Sequence, residues 1–219
     1  MLKVLFYSYY CFVLASFLVS FVTFKNRKTP LYLKLFCPFL GITVWVEAYS
    51  FYLVSQGHSN HIIYSIFNIV EFSFYLYVLS CIIINLKTRL VIRYISALNV
   101  FLAVVDLLFV QKNTFTTFAF LLGSILIIFF SIYYFYELFR HPRPMRLLSE
   151  PAFWICLSLL FYYCCALPVS GIIHFWMNAS QRLLNISFEL NLAANILMYT
   201  AFAISFVCSV KIQKSTSTS

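Results

Sequence analysis

A chain of 219 residues that is 63% hydrophobic and only 10% charged cannot cover a soluble surface, on which about a quarter of the residues normally carry charge. Its net charge of +9 would suit a nucleic acid if the basic residues formed one patch, but they are scattered between apolar runs and no nucleic-acid motif accompanies them. Soluble enzymes and DNA- or RNA-binding proteins are thereby set aside, and an integral membrane protein remains.

A spanning helix needs about 20 mostly apolar residues, and seven such stretches follow along the chain. Helix 1 is expected at 4–24. Lys3 before it resembles a signal peptide, yet Phe24-Lys25-Asn26-Arg27-Lys28 follows with no small-x-small cleavage site, so the segment is read as a retained helix. Helix 2, at 31–55, sets Thr43, Glu47 and Ser50 on one face and carries Trp45. Helix 3, at 62–84, repeats Tyr64, Asn68, Glu71 and Tyr75 at i, i+4, i+7 and i+11, which is a single polar stripe.

Helix 4 is placed at 90–110, with Asp106 near its end, and helix 5 at 115–137. The link that follows contains His141-Pro142-Arg143-Pro144, which cannot continue a helix. Ser149 as cap, Glu150 near the dipole and Pro151 in the first turn then announce helix 6. That helix, at 151–175, adds Ser158, Tyr162, Trp154 and Pro168, with Trp176 just beyond. Helix 7, at 188–210, carries Glu189, Asn191, Asn195 and Tyr199. Positions 211–219 are read as a disordered cytoplasmic tail, and residues 1–210 as one all-α, seven-helix transmembrane domain.

Loop charge gives the orientation. Lys25, Arg27, Lys28 and Lys34 follow helix 1; Lys87, Arg89 and Arg93 follow helix 3; Arg140, Arg143 and Arg146 follow helix 5; Lys211 and Lys214 lie in the tail. Only Lys3, Lys112 and Arg182 lie on the other side. The expectation is an N-terminus outside, a C-terminus in the cytoplasm, and a basic face against anionic lipid headgroups.

The seven cysteines all fall inside expected helices with no CxxC or zinc spacing, so they read as small packing residues. A faint repeat relates helices 3 and 7: Asn68-Ile-Val with Cys81 parallels Asn195-Ile-Leu with Cys208, as in transporters built from parallel repeats.

Ionisable residues within a membrane are costly and point to function. Glu47, Glu71, Asp106 and Glu189 all fall in the expected outer half, and the inner half shows no counterpart. Glu47 and Glu71 are expected at similar depth on antiparallel helices, with Glu71 ranked first for any response. Together with Asn68, Tyr64, Tyr75, Asn195, Tyr199 and Trp45 they outline an acidic, aromatic-lined pocket that favours a cation or a proton.

His58, His61 and His174 near Glu47 raise the question of zinc, but HxxH without a Glu-x-x-His frame is weak, and no metal or other cofactor is expected. Every histidine is interfacial and Ser170-Gly171 has no nucleophile-elbow context, so no catalytic residue is assigned and no enzyme is expected. Helix 7 has no lysine before Lys211, which excludes a retinal Schiff base.

Five stretches carry a resemblance: Phe67-Asn-Ile-Val-Glu-Phe, Thr114-Phe-Thr-Thr-Phe through Leu122-Gly-Ser, Tyr133-Tyr-Phe-Tyr-Glu-Leu, Glu150-Pro-Ala-Phe-Trp-Ile and Asn195-Ile-Leu-Met-Tyr. In these the chain resembles a group of small, uncharacterised seven-helix inner-membrane proteins of Bacteroidetes-type bacteria. The resemblance implies an inner-membrane location and no particular activity. The residues themselves favour a receptor-like sensor that binds a small ligand or a proton and acts through a signalling partner. A small proton-coupled transporter, or an accessory subunit or intramembrane enzyme, are the alternatives.

Overall fold

Within lipid an apolar chain must close its backbone hydrogen bonds internally, and almost all of the described residues do so as helices. The structure, a computed structural model, describes residues 2–25, 29–110, 117–140, 147–175 and 181–217. Lys112, Thr114 to Thr116, His141 to Arg146 and Trp176 lie outside the described residues, as do Arg27, Lys28 and the side chains of His174 and Lys214.

Seven helices are found among the described residues: α1 (Leu2–Lys25), α2 (Leu31–Ser55), α3 (His61–Ile82), α4 (Leu86–Val105), α5 (Thr117–Arg140), α6 (Pro151–Phe175) and α7 (Gln181–Ser217). No strand occurs among them. Each contains a stretch long and apolar enough to cross a membrane. The protein is therefore a seven-helix, multi-pass membrane protein in contact with lipid.

Several boundaries differ from the sequence reading, those of α4 and α7 most. α4 starts at Leu86 because Asn85 accepts the Lys87 N–H (3.0 Å) and caps the helix. It gives way at Asp106 to a π-helical turn, Asp106–Val110. α6 begins on Pro151 as expected, but a short 3₁₀ turn over Leu147–Ser149 leaves Glu150, not Ser149, as the residue before it. α7 extends to Ser217, past the expected start of a disordered tail; neither Gly nor Pro follows Val210 to stop it.

The helices group into two compact units, one of residues 1–41 and 138–219 and one of residues 42–137. In the first unit α7 packs on both α1 and α6. Phe36 of α2 lies 5.1 Å from Phe202 and 5.6 Å from Phe206 between ring centroids. α1 buries a stripe of small polar residues, Ser16, Ser20 and Thr23. Ser20 and Thr23 turn their hydroxyls onto carbonyls three residues back, at 2.6 and 2.7 Å; small residues of this kind let helices approach closely where lipid offers no hydrophobic drive.

In the second unit α3 packs on α4, and the Phe72 ring of α3 lies 5.7 Å from that of Phe120 on α5. Gly123 makes this approach close: a methyl group there would stand 2.7 Å from the Phe72 ring. The second unit also contains α2 from Ile42 onward, which a tight turn joins to α3; in that turn Gly57 takes a positive φ of 77°.

Candidate functional site

The second half of α2 buries Thr43, Val46, Glu47 and Ser50, an i, i+3, i+4, i+7 stripe that matches one helix face. From α3 the Tyr64 hydroxyl donates to Glu47 Oε2 at 3.0 Å. Glu47 is only 8% exposed, and a carboxyl group so placed must hold a proton, a cation or hydrogen-bond donors. The tyrosine supplies one donor. One turn along α3 lies Asn68, also 8% exposed, whose amide nitrogen has no hydrogen-bond partner among the described residues. The Ser50 hydroxyl, buried one turn from Glu47, is likewise without a partner. Glu71 is half-buried on the next turn of α3, and Tyr75 beyond it is fully buried.

The remaining expected site residues are placed as follows. Trp45 is 64% exposed and stacks on Tyr49 at 5.4 Å, so it faces outward from α2. Asp106 is buried at the π-helical turn, where its Oδ2 accepts the Ala119 N–H at 3.2 Å and caps the start of α5. Its observed task is to join two helices. Glu189, Asn195 and Tyr199 belong to the first unit. There Asn195 donates to the Asn191 carbonyl and side-chain oxygens at 3.0 and 2.8 Å, within its own helix. Tyr199 is buried against Tyr9 of α1, with ring centroids 6.0 Å apart. Glu189 is half-buried.

No family model, curated protein or solved structure matches the chain. The site is therefore weighed on its geometry alone. Among the described residues no group of three or more His, Cys, Asp or Glu side chains is placed to hold a metal, and His58 and His61 are exposed.

One carboxylate escaped the sequence reading. Glu137, at the end of α5, is 8% exposed and accepts the Ile84 and Asn85 N–H groups at 2.7 and 2.9 Å. Thr88 donates to the Tyr133 hydroxyl at 3.1 Å, and Arg89 Nε donates to the Ser80 carbonyl at 2.8 Å. The α3–α4 turn is thus held by side chains from α4 and α5. The available signal is an acid inside the aromatic run Tyr133-Tyr-Phe-Tyr-Glu-Leu; it does not stand out because it lies at a helix end, where an acid ordinarily meets water.

Proposed function

We infer that this is a receptor-like binding protein of the cell's inner membrane, not an enzyme, in which the Glu47 carboxyl group of the α2–α3 pair takes up a proton or a small cation. The observation that carries this reading is a buried carboxyl group that accepts from the Tyr64 phenol, with the Asn68 amide nitrogen and the Ser50 hydroxyl, unpartnered among the described residues, close by in sequence on the same two helices. A pair that served packing alone would not need a carboxyl group, and would leave fewer buried polar atoms unmatched. On the orientation drawn from loop charge, with the N-terminus outside, the α2–α3 turn faces outward and the site opens to that side. A bound ligand would act on a separate signalling protein through the basic cytoplasmic face.

Purified protein compared with Glu47→Gln by thermal shift, across pH and a panel of amines and metal ions, tests the proposal. At least one cation, or a change of pH, is expected to move the melting temperature of the parent and to leave that of Glu47→Gln unmoved. A parent with no response to any of them would refute the reading. Uptake of the same cation into liposomes would shift the assignment from receptor to transporter.

A further inference from the structure

α4 has two unlike sides. Its buried side is a narrow line of Ile92, Asn99 and Ala103, and most of the remainder is exposed. At about 100° per residue, Leu86, Leu90, Tyr94 and Phe101 all fall within one arc, and they are 71%, 54%, 76% and 64% exposed. Lys87 and Arg93, both exposed, bound that arc on either side, about 120° apart on the same helical wheel. An apolar stripe flanked by two cations thus runs down the first four turns of a candidate membrane span.

The depth of these groups agrees with their chemistry. Lys87 lies in the first turn, and Arg93 lies about 9 Å further along the axis. Side chains on a helix lean toward its N-terminus, which here is the membrane-surface end of α4, so the long arginine stem carries its guanidinium back toward the level of Lys87. The surrounding groups do not neutralise this charge. Helix α4 contains no acid between Leu86 and Val105, and Glu137 at the same turn is buried with both oxygens on backbone N–H groups. Tyr94 adds a phenol between the two cations.

We propose that this face of α4 is a docking site for an anionic phospholipid, whose phosphate lies between Lys87 and Arg93 and whose acyl chain follows Leu90, Tyr94 and Phe101. Charge complementarity selects the occupant: a zwitterionic headgroup brings its own cation to the same place, whereas a phosphatidylglycerol-type headgroup does not. The continuous apolar stripe selects a lipid over a soluble phosphate, because a free anion gains nothing from it.

Native mass spectrometry of the full chain in detergent tests this, with dioleoyl phosphatidylglycerol and dioleoyl phosphatidylcholine as probes. The parent is expected to hold the anionic lipid about tenfold more tightly, given the gain each basic side chain makes near an anionic headgroup. In the Lys87→Gln/Arg93→Gln variant the preference should fall to about twofold or less, since both headgroup cations are gone. A Lys25→Gln/Lys211→Gln control, which removes two exposed charges elsewhere, should keep it. Glycerophosphoglycerol, the headgroup without chains, should not displace the bound lipid. Equal loss in both variants, an undiminished preference in the α4 variant, or displacement by the free headgroup or by an acidic peptide would each overturn the proposal. All four substituted positions are exposed, and matched melting temperatures will confirm that both variants are folded.

Discussion

The hydrogen bond from Tyr64 to Glu47 is the contact on which most depends, and a double-mutant cycle measures it. Hydrogen bonds between membrane helices couple by about 0.6 kcal/mol on average and by up to about 1.7 kcal/mol. Tyr64→Phe and Glu47→Gln should therefore show a coupling toward the upper end of that range in reversible unfolding, because the acceptor is a buried carboxyl group. A coupling indistinguishable from zero would mean that the two groups do not act together. Glu137 should behave differently. Glu137→Ala leaves the Ile84 and Asn85 N–H groups without their acceptors and should cost about 1–3 kcal/mol, with Gln recovering part of that through its one carbonyl oxygen. Hydrogen exchange at residues 84 and 85 should accelerate in the alanine variant and not at α6. Much of this was legible beforehand. Glu47, Tyr64 and Asn68 stood out because polar residues at helical spacing are conspicuous in an apolar run. Glu137 did not, because what buries it is a turn about fifty residues away in sequence, and local pattern carries no record of such a partner.

Among the helices, the approach of α5 to α3 rests on a residue with no side chain. Gly123→Ala places a methyl group 2.7 Å from the Phe72 ring, and overpacking of this kind costs about 1–3 kcal/mol. In a Phe72→Leu background the same change should cost distinctly less, since the smaller side chain can withdraw; melting temperatures of the four variants read this directly. Equal costs in both backgrounds would show that the ring is not what Gly123 accommodates. The existence of every helix was legible from apolar run length, because roughly 20 apolar residues leave few alternatives. The structure starts α4 four residues before the expected position, since Lys87 and Arg89, read as loop, lie within the helix: Lys87 is exposed and Arg89 turns back onto the Ser80 carbonyl. The sequence reading placed Asp106 in a binding wall; the structure uses it as a cap on α5, a role that depends on where the next helix begins.

For the molecule as a whole, the proposed orientation rests on the distribution of lysine and arginine, and labelling can check it. In a cysteine-free background, Ser59→Cys in the α2–α3 turn and Ser149→Cys before α6 occupy exposed positions. Ser59→Cys should react with an impermeant thiol reagent on intact cells, and Ser149→Cys only after permeabilisation. The reverse pattern would turn the site to the cytoplasm. The seven-helix architecture was readable from composition, whereas the grouping of helices into two units was not, because helix partners in lipid are chosen by small-residue packing and not by hydrophobic patterning. The polar residues of α3 and α7 are expected to line one pocket because both stripes fall in the outer half; in the structure those of α3 belong to the second unit and those of α7 to the first. The central proposal is that Glu47 exchanges a proton or a cation. Infrared difference spectroscopy observes that carboxyl group itself: the spectrum of the parent, taken across pH or on addition of the cation found in the thermal screen, should contain a carboxyl band that persists in Glu71→Gln and disappears in Glu47→Gln. A band unchanged by Glu47→Gln, or no carboxyl band in the parent, would contradict the account.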